Sequence, residues 1–96
     1  MEKLYDRRVV TVGLNSTVIA GCNARRCRIT IYPIQSNPVF VNFTGPAALN
    51  GGAAVVLGTP PVVYGDGEAM GAADQGIQGI CATTPTNVEV VDEFYP

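Results

Sequence analysis

The chain has 96 residues, 47% hydrophobic and 15% charged, with a formal net charge of −2 and no histidine. That length makes one domain, the apolar content excludes disorder of the whole chain, and the missing histidine excludes Ser-His-Asp and Cys-His catalysis. Valine, isoleucine and alanine dominate the apolar set, and 11 glycines and 7 prolines punctuate it, which is a composition of short strands and frequent turns.

In chain order, "RRVVTV" at 7–12 and "STVIA" at 16–20 read as short strands separated by a turn at Gly13-Leu14-Asn15. Residues 25–32 alternate, with Cys27, Ile29 and Ile31 on one face and Arg26, Arg28, Thr30 and Tyr32 on the other, as a half-buried strand requires. Pro33 closes that strand, and "VFVNF" at 39–43 is the next, with Val39, Val41 and Phe43 on one face. The short loop between the two predicts an antiparallel pair.

Residues 44–54 are small and turn-rich, with room for one helical turn at Pro46–Leu49. "VVLG" at 55–58 and "PPVVYG" at 60–65 follow as strands, the second on a sheet edge where proline's missing N–H does no harm. Residues 66–76 read as a loop or a marginal turn of helix, and "IQGICA" at 77–82 and "NVEVVDEF" at 87–94 as the last two strands. Val88 and Val90 share one face of the latter, and Asn87, Glu89 and Val91 the other. Seven or eight short strands at this spacing predict an all-β fold, a sandwich or a small barrel. Of the two, a small antiparallel β-sandwich of jelly-roll-like form is expected. Its expected core is Ile29, Ile31, Val39, Val41, Ile80, Val88 and Val90. Residues 1–96 form the one domain, and 1–6 and 93–96 are read as short contact arms or, alternatively, as extensions of edge strands of the chain's own sheet.

Charge is unevenly distributed along the chain. All six bases, Lys3, Arg7, Arg8, Arg25, Arg26 and Arg28, lie in the first 28 residues. Asp66, Glu68, Asp74, Glu89, Asp92 and Glu93 lie in the last third, and residues 29–65 contain no Asp, Glu, Lys or Arg. Two arrangements fit: the ends pair within one sheet, or they meet between subunits packed head to tail. An uncharged middle of this length suits a surface covered by neighbours better than the skin of a free monomer.

Cys22, Cys27 and Cys81 are an odd number, a poor disulfide framework, and lack the fourth ligand of a structural zinc site. They are expected to be small buried apolar groups. Asp66-Gly67-Glu68 offers two carboxylates, fewer than calcium usually recruits, and neither glycine-rich stretch leads into the lysine-bearing helix of a phosphate loop. The sequence therefore points to no enzyme, no cofactor and no metal. An acidic chain whose aromatics are not interleaved with its bases is not expected to bind nucleic acid specifically. Residues 1–8 are too polar for a secretory signal and no apolar run is long enough to span a membrane, so folding in a cytoplasm and no membrane partner are expected.

The order of parts resembles small β-sandwich virion proteins of tailed bacteriophages. The resemblance rests on Arg28, Ile29 and Ile31, then Pro38, Val39, Val41 and Phe43, then Gly79, Ile80, Ala82, Val88, Val90 and Glu93. It spans residues 24–93, with Pro33 in place of a frequent asparagine and "LGTPP" in place of the usual turn before the middle strand. It implies a virion structural protein assembled in the bacterial host cytoplasm, foremost a capsid decoration (cement) protein binding across capsid protein junctions. A fibre-anchoring, tail-associated or receptor-binding module of the same particle is the alternative. The partners implied are the major capsid protein and further copies of the chain, in a trimer for example. Leu4, Tyr5, Arg7, Arg8, Arg25, Arg26, Arg28, Phe94 and Tyr95 are the expected contact residues.

Overall fold

A computed structural model describes residues 4–43, 45–65 and 76–95, with the side chain of Phe43 left out. It contains eight strands: β1 (Leu4–Val12), β2 (Thr17–Ala20), β3 (Arg26–Pro33), β4 (Val39–Phe43), β5 (Ala53–Val55), β6 (Val62–Gly65), β7 (Ile77–Cys81) and β8 (Thr86–Phe94). They form two four-stranded antiparallel sheets, ordered β1-β8-β3-β6 and β2-β7-β4-β5. The pairs β1–β8, β2–β7, β3–β6 and β4–β5 nest like one long hairpin with its turn between β4 and β5. That hairpin is rolled until β8 also meets β3 and β7 also meets β4. This is the strand order of a jelly roll, two sheets of four closing over one core.

The topology corrects the expected pairing of β3 with β4, and it separates β7 from β8 in the same way. Each pair is split between the two sheets. Both β3 and β4 bury one apolar face, and those faces meet across the sandwich: Ile29, Ile31, Val39 and Val41 are all fully buried in one cluster. Residues 34–38 therefore carry the chain from one layer to the other. Periodicity assigns the buried face of a strand but not its neighbour.

Val88 and Val90 of β8 complete the expected core, with Val12, Val55, Val62, Tyr64 and Ile77 beside them. Ile80 does not belong to it. Along β7 the inward positions are Ile77, Gly79 and Cys81, and Ile80 lies half-buried on the outer face. Ile77 and Ile80 differ in parity, so one strand cannot turn both inward. Gly79 faces inward by the same parity, and its missing β-carbon leaves room for Ile19 of β2, whose Cδ1 would stand 2.6 Å from one.

Among its described residues, the segment after β4 holds no helical turn; it bends through Asn50 and Gly52, both at positive φ. At Gly52 a β-carbon would lie 2.2 Å from the carbonyl oxygen of Val41, so the chain can turn into β5 only with glycine there. As a result β5 begins at Ala53, two residues before the expected run. β6 is an edge strand preceded by Pro60 and Pro61, as its composition predicts. Most of the expected loop at 66–76, with Asp66, Glu68 and Asp74, lies outside the described residues.

The described residues of the ends are also strand, apart from Tyr95. Leu4, Tyr5 and Asp6 of β1 pair with Phe94, Glu93 and Asp92 of β8. Leu4, Tyr5 and Asp6 extend β1 three residues before the expected run at 7–12, where the inward-facing Asp6 breaks the apolar alternation.

Candidate functional site

Directly paired residues share a sheet face. On the outer face of the first sheet, one row runs Tyr5, Glu93, Arg28 and the next runs Arg7, Val91, Thr30. Arg28 lies 3.9 Å from Glu93, and Arg7 reaches diagonally to Glu89 at 3.7 Å. The Arg7–Glu89 pair, with Arg7 exposed, is of a kind that contributes about 0–1 kcal/mol.

The inner face carries a stronger arrangement. Asp6 and Asp92 stand opposite one another in the β1–β8 ladder, a like-charge pairing that is unfavourable by itself. Arg8 bridges them: its Nη1 donates to Asp6 Oδ2 at 3.2 Å and also to Asp92 Oδ2. The register of β3 against β8 shifts between Arg26 and Arg28. This bulge, one extra residue in the strand, turns Arg26 inward.

Arg26 is only 4% exposed, and Asp92 only 3%. The sequence expectation that Arg26 and Arg28 share an outer face is corrected here, because period two fails across a bulge. Arg26 Nη1 lies 3.9 Å from Asp92 Oδ1, and its Nη2 donates to the Gly21 carbonyl at 2.8 Å. Arg8 Nη2 donates to the Ile19 carbonyl at 3.3 Å. Two guanidinium groups thus clasp one buried carboxylate and tie the end of the first sheet to the end of β2 in the second.

The structure gathers the nine expected contact residues at this end of the first sheet. Leu4, Phe94 and Arg26 form one row, and Arg7 and Arg8 lie just beyond the second. Tyr95 N donates to Arg25 O at 2.8 Å, and Arg25 Nη2 donates to Tyr95 O at 3.3 Å. Leu4, Tyr5, Arg7, Arg25 and Tyr95 are exposed, while Arg8, Arg28 and Phe94 are half-buried. Arg26 is enclosed, with no surface to offer a neighbour. Each carboxylate of β8 is met by an arginine of a flanking strand, so the arginines of β1 and β3 and the carboxylates of β8 pair within one molecule.

The second sheet is of opposite character. Its strands TVIA, IQGIC, VFVNF and AAV contain no Asp, Glu, Lys or Arg. The first sheet carries Asp6, Arg7, Arg8, Arg26, Arg28, Glu89, Asp92 and Glu93. The outer face of the neutral sheet presents Val18, Gln78, Ile80, Phe40, Asn42 and Ala54, with Val18 62% exposed. The loop after β4 folds against it: Asn42 Nδ2 donates to Pro46 O at 3.1 Å, and Ala47 N donates to Ser16 Oγ at 2.9 Å. An open depression of about 320 Å³ at the β2 end is lined by small and apolar residues, among them Val18, Ala20, Gly21 and Ile77. Sequence reasoning names none of these residues as outward contacts and assigns Ile80 to the core, although the uncharged run at 29–65 is the signal that finds half of them.

Cys27 and Cys81 are buried as expected, whereas Cys22 is exposed; all three are free thiols. Cys22 follows β2 in the connection to β3, where the chain leaves the core. Among the described residues no group of three His, Cys, Asp or Glu side chains is placed to hold a metal ion. No protein-family model, curated protein or solved structure matches the chain.

Proposed function

We propose that the chain is a structural subunit of a tailed-bacteriophage particle, a capsid decoration protein that attaches through the outer face of the neutral sheet. The observation that carries this reading is the segregation of charge: one sheet holds eight ionic side chains and the other holds none. An uncharged face loses little hydration when it is covered, and each apolar Å² removed from water contributes roughly 25 cal/mol. Attachment alone is the mechanism. A subunit seated across a junction holds the joined capsid proteins together, and repetition over the shell multiplies a modest affinity. Jelly rolls serve in viral capsids as well as in lectin domains and cupins, which is consistent with this role.

Val18 and Ala54 are exposed on the neutral face and bear no internal load, so charging them tests attachment without disturbing the fold. Val18→Glu and Ala54→Glu should each leave thermal unfolding within about 0.5 kcal/mol of the parent. Binding to shells of the encoding phage stripped of this protein should fall at least tenfold. Arg7→Glu, on the charged sheet, should bind as the parent does. Parent-like attachment of both neutral-face variants would refute the surface, and purified particles carrying no copies of the chain would refute the virion role.

A further inference from the structure

The two sheets have four edge strands, and three of them are poor templates for further pairing. β5 has 3 residues, β6 has 4 and follows two prolines, and β2 has 4 with a register shift. β1 is different: nine residues, in unbroken register with β8, free of glycine and proline. Among the described residues β8 is its sole strand partner. Leu4, Tyr5 and Val9, at 55%, 66% and 58% exposure, all lie on it. An edge of this length presents a row of free N–H and C=O groups on which another strand can add.

We propose that β1 pairs with β1 of a second copy, antiparallel about a two-fold axis at Arg7, joining two four-stranded sheets into one of eight. The choice of occupant and register follows from the residues. A two-fold axis normal to the sheet keeps inward positions inward, so residues meet only partners of the same parity. Centred on Arg7, the strand sets Asp6 against Arg8 of the second copy, Tyr5 against Val9, and Leu4 against Val10, each twice. Centred on Asp6 it sets carboxylate on carboxylate and Leu4 on Arg8. Centred on Arg8 it sets Asp6 on Val10 and Arg7 on Val9. The Arg7 register alone matches charge with charge and apolar with apolar.

The one mismatch in that register is Arg7 against its own copy, and like charges placed directly opposite oppose pairing. Glu89, 3.7 Å from Arg7 in the same subunit, partly compensates it. The inference stands on the edge strand alone and does not depend on a role in a virion.

The mismatch makes the test directional. In sedimentation equilibrium the 10.1 kDa chain should populate a dimer as its concentration rises, with no trimer. Asp6→Arg, which puts a second guanidinium opposite Arg8 of the other copy, should weaken the dimer at least tenfold. Arg7→Thr, which removes the like-charge contact on an exposed site, should tighten it severalfold. Circular dichroism of each variant should match the parent; if Asp6→Arg fails to fold, Arg7→Thr decides alone. A parent monomeric up to millimolar concentration, a trimer, or an Arg7→Thr dimer no tighter than the parent's would overturn the proposal.

Discussion

Replacing Asp92 with alanine is expected to destabilise the domain by about 3–5 kcal/mol, the usual effect of removing one member of a buried ion pair. Without its carboxylate, Arg26 would remain enclosed at 4% exposure, facing Arg8 with the charge between them gone. Stabilities of whole domains are about 5–15 kcal/mol, so the variant should be marginal. Urea unfolding of the parent and of Asp92→Ala measures the difference. Removing the cluster as a unit should be milder, because apolar residues of similar volume replace buried ion networks at little cost. A triple variant with Arg8 and Arg26 changed to methionine and Asp92 to leucine should therefore be more stable than Asp92→Ala. A loss below about 1 kcal/mol for Asp92→Ala would show that the clasp is not holding the end of the sandwich.

Val41→Asp is expected to abolish the folded domain. Val41 is fully buried on β4, between Gly79 of β7 and Ala53 of β5. An ionised carboxylate there has no cation within the neutral sheet, and the cost of burying it unpaired exceeds the stability available. Ile80→Asp, on the neighbouring strand, is expected to give a soluble, folded protein because Ile80 points outward. Far-ultraviolet circular dichroism and solubility of the two variants separate the faces. A folded Val41→Asp, or an unfolded Ile80→Asp, would mean that the assigned faces of the second sheet are reversed.

The residues legible in the sequence are those where one face is wholly apolar. Ile29 and Ile31, Val39 and Val41, and Val88 and Val90 alternate without interruption, and each lies in the core. Three kinds of feature were hidden. Period two says which face a residue takes but not which strand lies beside it, so the rolled topology that parts β3 from β4 could not be read from their proximity. A bulge costs one residue and leaves no mark in composition, which is how Arg26 escaped to the interior. Charges that point inward, as Asp6, Arg8 and Asp92 do, look like surface residues until the two arginines are seen around one carboxylate. The complementary blocks of charge were legible from the start. Whether they met within one chain or between chains depended on β8 lying between β1 and β3.

That internal pairing leaves the neutral sheet as the surface with most to gain from being covered. The most direct test of the proposed capsid attachment is its dependence on salt. Charge–charge contacts weaken steeply as screening shortens, so shell affinity is best compared between about 50 mM and about 500 mM sodium chloride. Attachment through the neutral sheet predicts an affinity that holds constant or rises slightly across that range. A fall of tenfold or more would contradict it and would place the shell against the charged sheet instead.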